Sequence, residues 1–138
     1  IEYAFENKAI KGLYCDGTAA IRKDLETSAE KACILAEELG HHYTSVGNIL
    51  DQSDPDNRKQ ERKARLWGYD RLIGLSGIIR AFEYGCRNCY EMADYLGVTE
   101  VYLKECIDCY RKKYGISKKI GNYIIYFEPA LMVGKITD

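Results

Sequence analysis

Two glutamates and two histidines lie close together in the run Glu37-Glu38-Leu39-Gly40-His41-His42. If this run is helical, Glu37 and His41 are four residues apart and stand one above the other on adjacent turns. A carboxylate and an imidazole in this arrangement can bind one metal ion. Glu38 would then stand beside them as a base that accepts a proton from a metal-bound water. The spacing therefore indicates a hydrolytic metal centre.

The same residues also fit a simpler interpretation. Glutamates and histidines on the polar side of an amphipathic helix most often form a solvated face. The register is open as well, because Glu38 and His42 are also four residues apart. The helix alone leaves both interpretations open, so the choice between them depends on residues elsewhere in the chain.

One helix is predicted from Thr27 to Ser45, and it carries the whole run. Thr27, followed three residues later by Glu30, forms a capping box that satisfies free backbone donors of the first turn. Mostly small residues form a stripe along this helix, and Gly40 in that stripe is expected to let a strand approach the backbone closely. The stripe consists of Ala29, Ala32, Cys33, Leu35, Ala36, Leu39 and Gly40.

A second helix is predicted over Pro55–Ile73, with proline in the first turn, where its missing N–H does no harm. Ala64 and Gly68 share one side of this helix with Glu61. Both are small enough to let the two helices cross closely, which would bring Glu61 towards the first motif. The alternative is that Glu61 is an exposed member of the charged run Arg58–Arg65.

A resemblance favours the metal centre over the solvated face. Leu35–His42 resembles the LAHELGHH signature of the ImmA/IrrE family of bacterial metallopeptidases. A second helix in that family carries the pattern E-x-x-A-N-x-F-A, and Glu61–Gly68 resembles it, twenty residues after His41. The similarity extends upstream to Lys11–Tyr14 and downstream through Glu91–Leu103, so it covers nearly the whole chain.

The resemblance implies a role for each residue of the site. Glu38 would be the catalytic base, and His41 and Glu61 would bind the metal. Glu37 stands where the family has its first histidine and would replace it as a ligand. Two anionic ligands would leave zinc less electrophilic and its water less acidic, and an oxygen-rich set favours harder metals such as manganese. Further departures from the family pattern are Arg65, Trp67 and Gly68 in place of Asn, Phe and Ala.

The function implied by the resemblance is proteolytic. Members of the ImmA/IrrE family cleave helix-turn-helix repressors of mobile elements or stress regulons. We therefore expect a bacterial, cytoplasmic, zinc-type endopeptidase, weakened by Glu37, whose partner is a transcriptional repressor such as that of a prophage. A protein of another class stays open, namely a catalytically silent module that binds a repressor on the same fold.

A third possibility is direct DNA binding through a helix-turn-helix. Asn88 with Glu91 forms a capping box, Gly97 ends that helix, and Thr99 caps the next one. A recognition helix should begin with side chains that reach base edges. This one begins Glu100-Val101-Tyr102-Leu103 and has its basic residues at the far end. We therefore expect a packed helix pair and no direct nucleic-acid partner.

Two Cys-x-x-Cys pairs have the spacing of a four-thiolate zinc site. The second pair, Cys106 and Cys109, lies in the middle of a predicted helix, and neither pair contains the glycine that usually wraps thiolates around zinc. Buried free thiols are therefore expected. Six cysteines without a secretory signal also predict a reducing compartment.

Both ends of the chain are predicted to form strands. Asp16-Gly17-Thr18 between two apolar segments predicts one hairpin, and Gly121-Asn122 between Ile116–Ile120 and Tyr123–Phe127 predicts another. The second hairpin could extend the first sheet or stand alone. The predicted fold class is α+β, a zincin-like helical domain with a small N-terminal antiparallel sheet and a C-terminal β-hairpin.

Length and charge bear on the number of domains and on the classes of partner. The chain has 138 residues and a net charge of -1, which predicts one domain over residues 1–138 without a polycationic surface for nucleic acid. No apolar run approaches the roughly 20 residues that cross a bilayer, so no membrane partner is expected. Because the chain opens on Ile1 rather than Met, we expect a piece upstream of it.

Overall fold

A computed structural model describes residues 1–3, 12–15, 18–22, 27–44 and 55–137. The chain forms two compact units, Ile1–Leu72 and Ile73–Asp138. Each unit combines helices with a small sheet, which confirms the α+β class. The single-domain organisation stays a prediction.

The sheet of the first unit has three strands, β1 (Glu2–Tyr3), β2 (Gly12–Cys15) and β3 (Thr18–Arg22), in the order β1-β3-β2. β2 and β3 pair antiparallel with Cys15 opposite Thr18, which is the register expected of the predicted hairpin. β1 pairs with β3 in parallel. The turn residues Asp16 and Gly17 lie outside the described residues.

Two helices complete the first unit, α1 (Ser28–Thr44) and α2 (Pro55–Leu72). The side-chain oxygen of Thr27 accepts the backbone N–H of Glu30 at 3.0 Å, as the capping box predicts. α1 packs against α2 and also against β2 and β3. Cys33, Ala36 and Gly40 of the predicted stripe are buried, but Leu35 is exposed.

The second unit begins with three helices, α3 (Gly74–Tyr84), α4 (Cys89–Leu96) and α5 (Glu100–Tyr114). The predicted caps are present: Asn88 accepts the N–H of Glu91 at 2.8 Å, and Thr99 accepts the N–H of Tyr102 at 3.1 Å. Gly97 ends α4 at a φ of 72°, which is favourable for glycine.

α4 and α5 contact each other, so the expected packed helix pair is confirmed. One face of α5 forms much of the core of this unit. Its buried members are Tyr102, Leu103, Cys106, Ile107 and Tyr110.

The strands of the second unit are β4 (Ser117–Ile120), β5 (Tyr123–Tyr126) and β6 (Met132–Lys135). They form their own antiparallel sheet in the order β4-β5-β6, so the predicted C-terminal hairpin is confirmed and does not extend the N-terminal sheet. The sequence does not predict β6, because Pro129 indicates the end of strand pairing. Arg111 donates to the backbone oxygen of Phe127 at 3.0 Å, tying the end of α5 to the residue after β5.

In the part of the chain that the structure describes, no helix combines the length and the apolar character needed to cross a bilayer.

Candidate functional site

α1 and α2 meet backbone to backbone at Gly40 and Ala64. A methyl group added to Gly40 would overlap the carbonyl oxygen of Ala64 and stand 2.9 Å from its carbonyl carbon. Ala64 is fully buried, and Gly68 one turn later is buried too. Small residues on α2 therefore allow the close crossing that the sequence predicted. The expectation that Gly40 faces a strand was wrong, because its nearest neighbour is the backbone of α2.

The close crossing brings His41 of α1 to Glu61 of α2. The Nε2 atom of His41 lies 3.6 Å from Oε1 of Glu61, and the two side chains are 13% and 15% exposed. This separation exceeds the usual length of an N–H···O hydrogen bond. Two ligands that each lie about 2.1 Å from a tetrahedral zinc ion are about 3.4 Å apart. The spacing of these two atoms is therefore compatible with binding to a common cation.

The arrangement also shows which of the two histidines faces α2, a point that the sequence left open. His41 is the histidine that faces α2, whereas His42 is exposed beside Tyr43, with the two rings edge to face at 4.6 Å. Tyr43 in turn stacks on Trp67 of α2 at 5.0 Å. Trp67, one of the departures from the family pattern, thus helps to hold the ends of α1 and α2 together.

Glu38 is the buried carboxyl of this region, with 9% of the residue exposed. Burial raises the pKa of Glu38, and the charges of Glu37 and Glu61 raise it further, to about 7. The physical reason is that an ionised carboxylate loses hydration in this position and meets two other negative charges. Nothing in the polar pattern of the sequence predicted that Glu38 would be buried.

Glu37 is half-buried and close enough for its charge to affect Glu38. Within the described ranges, however, no three His, Cys, Asp or Glu side chains are placed to enclose a metal ion. The site residues thus fit a divalent cation in their chemistry and in the spacing of His41 and Glu61. The role of Glu37 as the third ligand stays a prediction.

Arg65, which departs from the family pattern, is also a member of the site. Its Nε atom lies 3.6 Å from Oε1 of Glu61, the oxygen that also faces His41. The signal was present in the sequence, because residues four apart on a helix with opposite charges form ion pairs. Arg65 is 53% exposed, so its charge is partly screened by water.

None of the four cysteines of the Cys-x-x-Cys pairs is in a disulfide. The predicted burial is confirmed for Cys106, but Cys86, Cys89 and Cys109 are only half-buried. Cys106 and Cys109 lie within α5, as predicted.

Comparison of the chain with protein-family models, with curated proteins and with solved structures gives no match. The resemblance to the ImmA/IrrE family therefore stays a prediction from the motifs.

Proposed function

We propose that this chain is a metal-dependent endopeptidase in which Glu38 transfers the proton. The observation that carries the proposal is a buried carboxyl with a pKa of about 7 next to a histidine and a glutamate whose donor atoms are 3.6 Å apart. A surface of solvated charges would not keep Glu38 buried or raise its pKa in this way.

Glu38 is suited to general acid–base catalysis. A group with a pKa near 7 is populated in both protonation states at neutral pH, so it can take a proton and later return it. In peptide hydrolysis it would accept a proton from the attacking water and deliver it to the nitrogen of the leaving amine.

His41 and Glu61 would hold the metal, with Glu37 as the predicted third ligand. When bound, a divalent cation polarises the scissile carbonyl and lowers the pKa of a water. The mixed nitrogen and oxygen donors suit zinc, and the carboxylates also suit manganese. The crossing at Gly40 has a positioning role, because it sets the distance between the helices that carry these donors.

The proposed substrate is a helix-turn-helix repressor of a mobile element or stress regulon. This part of the proposal rests on the motif resemblance at Leu35–His42 and Glu61–Gly68. A peptidase acting on a regulator needs only occasional turnover, which is compatible with a metal that two anionic ligands make less electrophilic.

A second candidate function is a repressor-binding module without catalysis. Two observations favour it: no three potential ligands enclose an ion within the described residues, and Arg65 already places a positive charge at Glu61. In such a protein the arginine would take over the charge-balancing role of the metal.

Cleavage measurements separate the two candidates. The protein would be stripped with a chelator, reloaded with zinc or manganese, analysed for bound metal, and incubated with a panel of helix-turn-helix repressors. Glu38→Gln removes the proton acceptor while keeping the size of the side chain. Glu105→Gln, on the exposed surface of α5, is the matched control for loss of one charge.

Metal-dependent cleavage that Glu105→Gln keeps and Glu38→Gln loses would support the peptidase. Repressor binding without cleavage by the metal-loaded protein, unchanged in Glu38→Gln, would contradict it and favour the silent module.

A further inference from the structure

A cluster of exposed tyrosines lies in the second unit, at the turn between α3 and α4. Tyr84 and Tyr90 are 73% and 71% exposed, and Tyr95 is 39% exposed. The rings of Tyr84 and Tyr95 lie against each other with centroids 4.6 Å apart. Together the three tyrosines line an open groove of about 700 Å³, which is within the usual size range of ligand sites.

The charges that line this groove favour a cation. Glu91 and Asp94 are both lining residues, as is Arg87. Glu91 is already engaged, because it accepts the backbone N–H of Arg87 at 2.8 Å and lies 3.6 Å from its guanidinium. This leaves the exposed carboxylate of Asp94 to set the charge of the groove.

The thiol of Cys86 also lines the groove, and the negative charges nearby affect its pKa. Burial raises the pKa of Cys86, and the charges of Glu91 and Asp94 raise it further. Negative charge inside the groove therefore disfavours an anion and favours a cation.

Two other tyrosine rings of the chain have lysine ammonium groups over them. Lys113 and Lys118 lie over the ring of Tyr114, and Lys135 lies over Tyr123. Among the described residues, no lysine or arginine is placed in this way over the three tyrosines of the groove. These rings thus offer π faces to a cation that comes from another molecule.

We propose that this tyrosine groove binds an arginine side chain of a partner protein. A planar guanidinium can stack on a tyrosine ring while its N–H groups fork onto the carboxylate of Asp94, which a compact ammonium group does less well. The DNA-reading surface of a repressor is rich in such arginines. The groove would therefore give the proposed substrate a second point of attachment, although the inference itself does not depend on the proposed function.

The probe for the test is a short, unstructured peptide with two arginines, compared with the same peptide carrying neutral citrulline. Two-dimensional ¹H–¹⁵N NMR of the full chain follows the titration residue by residue. We expect the arginine peptide to shift backbone resonances of residues 84–95 with millimolar affinity, and the citrulline peptide to leave them in place.

Four variants locate the contact. Asp94→Asn and Tyr90→Leu should each weaken binding by about two- to tenfold, since each removes one charge or one ring. Tyr90→Phe keeps the ring, and Asp108→Asn removes an exposed charge elsewhere in the unit, so both should bind as the unaltered protein does.

Three results would overturn the proposal. These are no shifts at 10 mM peptide, equal binding of the citrulline peptide, and equal weakening by Asp94→Asn and Asp108→Asn. The spectra also show whether a variant is folded, so a loss of binding through misfolding is recognised directly.

Discussion

The buried carboxyl of Glu38 should make the stability of the protein depend on pH. Its pKa is about 7 in the folded state, against an ordinary value of 4.5. Below pH 4.5 the group is protonated in both the folded and unfolded states, so it has no net effect. Between pH 4.5 and 7 the carboxyl of Glu38 is ionised in the unfolded chain but still protonated in the folded protein. The free energy of unfolding therefore falls as the pH rises.

Above pH 7 Glu38 is ionised in both the folded and the unfolded state, and the loss of stability is complete. At about 1.4 kcal/mol for each pKa unit, the folded state loses about 3 kcal/mol relative to acidic solution. Glu38→Gln cannot ionise and therefore avoids this loss. We expect the variant to match the unaltered protein near pH 4.5 and to be about 3 kcal/mol more stable at pH 8.

Urea unfolding in metal-free buffer, followed by circular dichroism from pH 4.5 to 8, measures this difference. Glu105→Gln serves again as the control for loss of one charge. Glu37→Gln should recover part of the stability of Glu38→Gln, because it removes one of the charges that raise the pKa of Glu38. A difference between Glu38→Gln and the unaltered protein that stays constant across this pH range would refute the reasoning.

Three further predictions concern the helix crossing, the arginine at the site and the cap of α4. Gly40→Ala should destabilise the protein by about 1–3 kcal/mol in urea unfolding, because the added methyl group overlaps the backbone of Ala64. In Gly77→Ala the methyl group would meet only side-chain ends, the nearest being Cδ2 of Leu96 at 3.3 Å, so the free energy of unfolding should change by no more than about 1 kcal/mol. Arg65→Gln should tighten zinc binding by about two- to fivefold in calorimetry, since it removes a competing cation from Glu61, and unchanged or weaker binding would contradict this. Asn88→Ala should lower the free energy of unfolding, measured by thermal denaturation, by about 1 kcal/mol. No change would mean that the cap of α4 does not contribute to stability.

Local signals predicted most of the elements of this fold. The caps at Thr27, Asn88 and Thr99 and the turn at Gly121 are set by neighbouring residues, so the sequence predicts them directly. The sequence does not predict β6, because Pro129 indicates the end of strand pairing, whereas Met132–Lys135 pairs back onto β5. Nor does it predict the neighbour of Gly40, since a small residue indicates a close approach without indicating what approaches.

The sequence predicted the proximity of His41 and Glu61 through small residues on α2. It did not predict the burial of Glu38, because helical periodicity places that residue on a polar side. Nor did it predict the position of Arg65 beside Glu61, although the two residues are four apart on one helix. Both omissions concern electrostatics, which depends on three-dimensional distances and burial.

The most direct test of the proposed metal centre is a calorimetric titration of zinc into the chelator-treated protein. We predict one ion bound per chain, with affinity reduced about tenfold or more in both His41→Ala and Glu61→Gln. No binding at micromolar zinc, or binding that both variants keep, would contradict the assignment of these two residues as metal ligands.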